Sequence, residues 1–207
     1  LNSITISFRI SLFCSNFVVE NNCKFGGYNN NLTFLFTFAV RTIRVNDMER
    51  KKIVINYTDY ASIEELPADE KELLKAAQKA TDNAYAPYSK FHVGAAVLLK
   101  NGEVITAANQ ENAAYPSGLC AERSAIFYAH SKYPDTPILK IAVTAKVNGQ
   151  LTTDLTYPCG ACRQVLQESQ IRGGKKIKVI VGSRSTVRVL DSVECILPFA
   201  FDNLGKE

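Results

Sequence analysis

Histidine is nearly missing from this 207-residue chain, which holds only His92 and His130. A Ser-His-Asp arrangement is therefore disfavoured. His92 falls in the strand-like run 91–99 and His130 near a helix end, so both read as structural residues. Also missing is an apolar run long enough to span a bilayer, since the stretch from Thr33 to Val40 is too short, and no membrane partner is expected. The net charge is only +4 and is dispersed, which gives no footing for nucleic acid. The longest basic cluster, Arg172 to Lys178, reads as a solvated loop leading into a strand. What remains is globular in character: 46% hydrophobic and 21% charged, with enough chain for one core of ordinary size.

Methionine is scarcer still, with Met48 the single one and Leu at position 1. Before it, acidic residues almost vanish, Asn and Phe abound, and neither helical nor strand periodicity persists. We read 1–47 as a non-native or disordered upstream extension and Met48 as the native start. The alternative is a targeting peptide around Arg9 and the run Ile10 to Cys14, which lacks an adequate apolar core. Residues 48–65 form an N-terminal arm, in which Lys52 to Tyr57 is either an extra strand or an extended segment, and 66–207 form the main domain.

From Met48 onward no repeat or low-complexity tract appears and the pattern is regular. Small or apolar residues at Leu73, Ala77, Ala80 and Ala84 predict a helix from about Pro67 to Tyr85, stopped by Pro87. Val93 to Leu99 and Glu103 to Ala108 make a hairpin around Asn101-Gly102. A helix after Cys120, a strand at 139–145, a turn at Asn148-Gly149, a helix after Cys159, and strands at 177–181 and 186–190 complete the order. The expected class is α/β: three layers, α/β/α, with one mixed sheet flanked by helices.

The chemistry lies in Cys120-Ala121-Glu122 and Pro158-Cys159-Gly160-Ala161-Cys162. A structural zinc uses four protein ligands, whereas a catalytic zinc takes three and keeps one position for water. Here Cys120, Cys159 and Cys162 supply three sulfurs, and neither motif has a fourth Cys or His nearby. Both motifs open helix-like runs, where the partial positive charge of a helix start favours thiolate. The open position makes hydroxide available near neutral pH, and Glu122 is placed to carry its protons. A Cys-x-x-Cys alone could be a redox pair or a zinc knuckle. Redox chemistry leaves Glu122 without a purpose, and so does a non-catalytic zinc-stabilised binding module.

Six stretches, these two motifs among them, carry a resemblance: Tyr85 to Phe91, Val93 to Ala96, Asn109 to Tyr115, Cys120 to Arg123, Pro158 to Gln164 and Leu197 to Phe201. From about Leu66 to Leu204 the chain resembles the cytidine deaminases of the small, homotetrameric, zinc-dependent kind. The motif set is that of the zinc deaminases described among base-modifying enzymes. Cys120 in place of His as first ligand points to the branch acting on free nucleosides. His92 stands where that family commonly has Pro.

The resemblance implies one Zn2+ per chain and hydrolytic deamination of cytidine and deoxycytidine, in pyrimidine salvage, with 66–207 as the catalytic domain. Glu122 takes the water proton and delivers it to N3 and then to the departing amine. Arg123 and Arg163 beside the ligands offset thiolate charge through hydrogen bonds to sulfur. Asn109 and Glu111, on one face by strand alternation, bind the ribose hydroxyls. Phe91 stacks on the pyrimidine, and the Ala121 backbone reads the base edge. Tyr115 and Phe201 reach a neighbouring subunit's site in a homotetramer. The nearer alternative is deamination of another cytosine nucleoside, such as an aminoacyl nucleoside antibiotic. Three cysteines claimed by metal leave no disulfide framework, and thiolate ligands imply a reducing, cytoplasmic setting. Cys195 reads as a small buried hydrophobe.

Overall fold

Strand β1 (Tyr57–Tyr60), helix α1 (Ala68–Ala80), strands β2 (Phe91–Leu99) and β3 (Val104–Ala108) and helix α2 (Ala121–Lys132) come first. Strands β4 (Ile138–Val147) and β5 (Gln150–Leu151), helix α3 (Gly160–Gly173) and strands β6 (Lys178–Gly182) and β7 (Val187–Leu190) follow. The structure, a computed structural model, describes residues 50–202. The readings of 1–47 as an extension and of Met48 as the start lie outside the described residues.

The strands form one seven-stranded sheet in the order β1-β7-β6-β4-β2-β3, with β5 paired to β4. β4 and β6 run parallel with α3 between them in the chain, and the other pairings are antiparallel. Such a crossover is what a parallel pair requires. Alternation along the central strands builds two cores. Ala95, Val97, Ile141, Val143, Val179 and Val181 face α2 and α3, while Ala96, Ala142 and Ile180 face α1. Burial on both faces explains why these strands read as continuous apolar runs. The three-layer α/β/α expectation is met.

Close layer contacts depend on particular residues. A Cβ on Gly94 would collide with the carbonyl oxygen of Ala77, so only glycine lets α1 lie this near β2. The buried Glu70 carboxylate on α1 accepts from Lys140 at 2.9 Å and Lys178 at 2.8 Å, tying the helix to β4 and β6. On the opposite face His130 of α2 meets Ser169 of α3 at 2.8 Å, a structural role as expected. Cys195 sits half-buried in a single helical turn beside this core. Among the described residues no helix is long and apolar enough to cross a membrane.

Several strand boundaries differ from the sequence reading by one or two residues, and α1 and the N-terminal strand differ by more. α1 ends at Ala80, followed by one tighter turn at Thr81–Asn83, instead of running to Tyr85. The backbone of Tyr85 is claimed from outside the helix: its N–H donates to the Asn109 carbonyl at 3.0 Å and its carbonyl accepts from Glu111 N–H at 2.8 Å. The N-terminal strand begins at Tyr57, where the sequence reading expected its end, and joins the sheet edge beside β7. β3 starts at Val104 and stops at Ala108. The two tight turns fall as read, with Gly102 (φ 86°), Asn148 (φ 52°) and Gly149 (φ 73°) in the left-handed region that such turns require.

Candidate active site

The mixed sheet brings the N-termini of α2 and α3 together at one end. Cys120 is the residue just before α2 and Cys159 the residue just before α3, both in extended backbone, and Cys162 lies in the first turn of α3. The first N–H groups of each helix have no intrahelical acceptor, so two helix starts aim partial positive charge at the sulfurs. Cys120 Sγ lies 3.9 Å from Cys159 Sγ, which lies 3.5 Å from Cys162 Sγ. All three sulfurs fall within 4.8 Å of one another. Bonds of about 2.3 Å in a tetrahedron would set sulfur separations near ~3.8 Å, so the trio fits zinc. Among the described residues this is the one His, Cys or carboxylate group of that kind.

The electrostatics suit a thiolate. Hydrogen bonding from Cys162, then from Arg123 and Cys159, lowers the Cys120 thiol to about 5. Cys162, which gives that hydrogen bond and is also buried, is pushed up. Arg123 Nη2 reaches Cys120 Sγ at 3.8 Å, the placement the sequence suggested. Arg163 is placed differently: Nε donates to the Pro158 carbonyl at 2.8 Å and Nη1 to the Ile196 carbonyl at 3.0 Å. One position past Cys162 on a helix turns the side chain by about 100°, so Arg163 secures the backbone around the motif, and no sulfur is among its described partners.

Glu122, the second residue of α2, is only 4% exposed and lines the cavity beside Cys120 and Cys159. Burial, with the negative charge of Cys120 adding, holds its carboxyl above the ordinary carboxylate range. A carboxyl held in this way keeps a proton more readily than an ordinary one, which suits a group that must both take and return it.

The cavity holds about 320 Å³ and its wall includes Phe91, Asn109, Glu111, Tyr115, Cys120 and Glu122. That is within the range of ~300–1,000 Å³ usual for small-molecule sites. Asn109 lies one residue past β3, and its amide extends the ladder: Oδ1 accepts from Val93 N–H at 2.8 Å and Nδ2 donates to the Phe91 carbonyl at 2.9 Å. Glu111 accepts from the N–H groups of Tyr88 at 3.0 Å and Ser89 at 3.2 Å, and from the Ser89 hydroxyl. These bonds, Ser89's hydroxyl foremost, hold the Glu111 carboxyl below its ordinary value. The pair therefore shares the cavity by gripping the segment Tyr88–Val93, not by strand alternation.

Ala121, the first residue of α2, is fully buried and is not among the residues lining the cavity. Tyr115 stands 89% exposed at the cavity rim. Phe201 is 66% exposed, with its carbonyl held by Gln164 Nε2 at 2.6 Å, and is not among the residues lining the cavity of its own chain. Sequence reasoning gave no role to Tyr88, Ser89 or Tyr157. Tyr88 and Ser89 stood inside a quoted motif and Tyr157 directly before another, which was the available signal.

Comparison with known proteins gives one consistent result. Residues 67–178 match the family described as "Cytidine and deoxycytidylate deaminase zinc-binding region". A cytidine deaminase of Halalkalibacterium halodurans is 47% identical over 100 residues, covering 48% of this chain and 71% of the relative. One from Mycobacterium tuberculosis is 40% identical over 103 residues, covering 50% of this chain and 71% of the relative. A crystal structure of cytidine deaminase from Burkholderia pseudomallei superposes with a TM-score of 0.54 at 40% identity, covering 63% of this chain and 97% of that one.

Proposed function

Since the chain belongs to the cytidine and deoxycytidylate deaminase family, we propose that it hydrolyses the 4-amino group of cytidine and deoxycytidine, releasing ammonia and uridine or deoxyuridine. The observation that carries this reading is a buried Glu122 beside three converged sulfurs, in the wall of a cavity also lined by Phe91, Asn109 and Glu111. A purely structural zinc site has no use for that carboxylate.

Zinc held by Cys120, Cys159 and Cys162 supplies the Lewis acidity that makes water a nucleophile at neutral pH. Glu122 accepts the proton of the attacking water and delivers it to N3 of the ring, then serves the departing amine at C4. Its raised affinity for protons suits the return step. Phe91 stacks on the pyrimidine, the Ala121 N–H meets the base edge, and Asn109 and Glu111 face the ribose. Arg123 moderates the thiolate charge through Cys120.

The finer reading is a homotetramer with shared sites, in which Tyr115 and Phe201 of one subunit complete its neighbour's pocket. It is supported by their exposure and by that of Phe127 and Tyr128 on α2 and of Phe199. Salvage of pyrimidine nucleosides in the cytoplasm, where thiolates stay reduced, is the corresponding role. Following ultraviolet absorbance on cytidine, deoxycytidine and cytidine monophosphate tests the whole. Turnover of the two nucleosides and not of the monophosphate is expected; zinc-loaded protein inert on both nucleosides would refute it.

A further inference from the structure

Strand β1 is coupled to the cavity although it does not line it. In the β1–β7 register Asp59 stands opposite Arg188. Arg188 Nε donates to Asp59 Oδ1 at 2.7 Å and Nη2 to Oδ2 at 2.6 Å, a two-pronged bond of the geometry guanidinium and carboxylate share. The guanidinium carbon lies 3.9 Å from the centroid of the Tyr57 ring, two residues along the same strand. The remaining nitrogen, Nη1, donates to the Tyr157 hydroxyl at 2.9 Å. Tyr157 is a wall residue of the cavity, two positions before Cys159, and packs on the core beneath α2 and α3.

A guanidinium is planar, with its donors in a fixed fork. Once Asp59 fixes two nitrogens and Tyr57 covers one face, the direction of the third is set, and so is the place of the hydroxyl it holds. The Asp59–Arg188 pair is partly exposed, with side-chain accessibilities of 41% and 26%. Such pairs contribute little to global stability, so the arrangement bears on the pocket more than on the fold. Neither Asp59 nor Arg188 lies within the segment 67–178 that matches the family.

We propose that Arg188 is a positioning residue for substrate binding: held by Asp59 and Tyr57 of β1, it fixes Tyr157 as a wall of the nucleoside pocket beside Cys159. Strand β1 thereby contributes to cytidine affinity without touching cytidine. The inference rests on the reading of this cavity as the cytidine site. Because the chemistry belongs to Glu122 and the metal ligands, loosening Tyr157 raises KM and leaves kcat in place.

The test is a double-mutant cycle on the full, zinc-loaded chain with Asp59→Asn, Tyr157→Phe and both. Each single change should raise KM for cytidine about fivefold, the worth of an ordinary hydrogen bond, with kcat and zinc content unchanged. The double variant should be no worse than Tyr157→Phe alone, because Asp59 acts through the hydroxyl already removed. Single effects that multiply in the double variant, or an Asp59→Asn protein with parental KM, would overturn the proposal. Should Asp59→Asn not fold, Arg188→Lys takes its place in the cycle with the same two outcomes. Ring resonances of labelled Tyr157 give a readout independent of turnover: Asp59→Asn should shift them, and an unmoved ring would overturn the anchoring. A parent protein inactive on cytidine would instead refute the functional reading, while the ring resonances still decide the anchoring.

Discussion

The guanidinium of Arg123 lies 3.8 Å from the sulfur of Cys120, so a cation on the first turn of α2 is joined to the residue that precedes that helix. Three thiolates around a dication would leave net negative charge and a weaker Lewis acid. Arg123→Ala should therefore lower kcat by about 10- to 100-fold with a smaller change in KM, the usual scale for a group that orients or polarises a metal ligand. Steady-state kinetics with zinc analysis checks this. Unchanged kcat would remove Arg123 from the account.

The metal itself is tested by its ligands. With three sulfurs and none to spare, Cys120→Ala, Cys159→Ala and Cys162→Ala should each lose zinc and thermal stability together. The parent should carry about one zinc per chain. Elemental analysis beside thermal scans gives the answer, and full occupancy in all three variants would show that the ligands are misassigned.

Asn109 joins fold and site. Its amide satisfies both Val93 N–H and the Phe91 carbonyl, and Asn109→Ala leaves both without partners. A loss on the order of 1–3 kcal/mol in urea unfolding should accompany a raised KM for cytidine. Glu111→Gln keeps the shape but weakens the grip on Ser89, so KM should rise with little loss of stability. Equal effects of the two substitutions on stability would contradict this division.

His130 predicts a pH effect. Burial, and then the charge of Arg172, lowers its pKa, while in the unfolded chain it returns to about 6.5. Between the two values the unfolded state binds the extra proton, so His130's contribution is complete above pH ~6.5 and is lost as the pH falls through the folded value. Urea unfolding at pH 7.5 and 5.5 should show His130→Gln losing less stability than the parent over that interval. Parallel losses would mean that His130 does not titrate as its burial suggests.

Much of this arrangement was legible because it is local in sequence. Cys120 and Glu122 are two residues apart, Cys159 and Cys162 three, and both motifs sit where helices begin, so the gathering of three sulfurs beside one carboxylate could be read directly. The sheet was legible through its apolar runs and its Asn-Gly turns. What escaped depends on contacts distant along the chain. The end of α1 is set by Tyr85 bonding to the backbone of Asn109 and Glu111, which no helical propensity encodes. The start of β1 is set where Tyr57 comes opposite Leu190 of β7, far along the chain. Arg163, adjacent to a ligand, was expected on sulfur but is turned by the helix onto two carbonyls.

The most direct measurement is turnover of cytidine by Glu122→Gln with its zinc and fold intact. Glu122 is the acid that the structure buries in the cavity wall beside Cys120 and Cys159, and removing its charge removes the proton carrier while keeping its shape. Loss of activity by about 100- to 10,000-fold is predicted, the scale of general acid–base catalysis, with zinc content and thermal midpoint close to the parent's. A fully metallated Glu122→Gln protein within about tenfold of parental kcat, well short of that scale, would contradict the account.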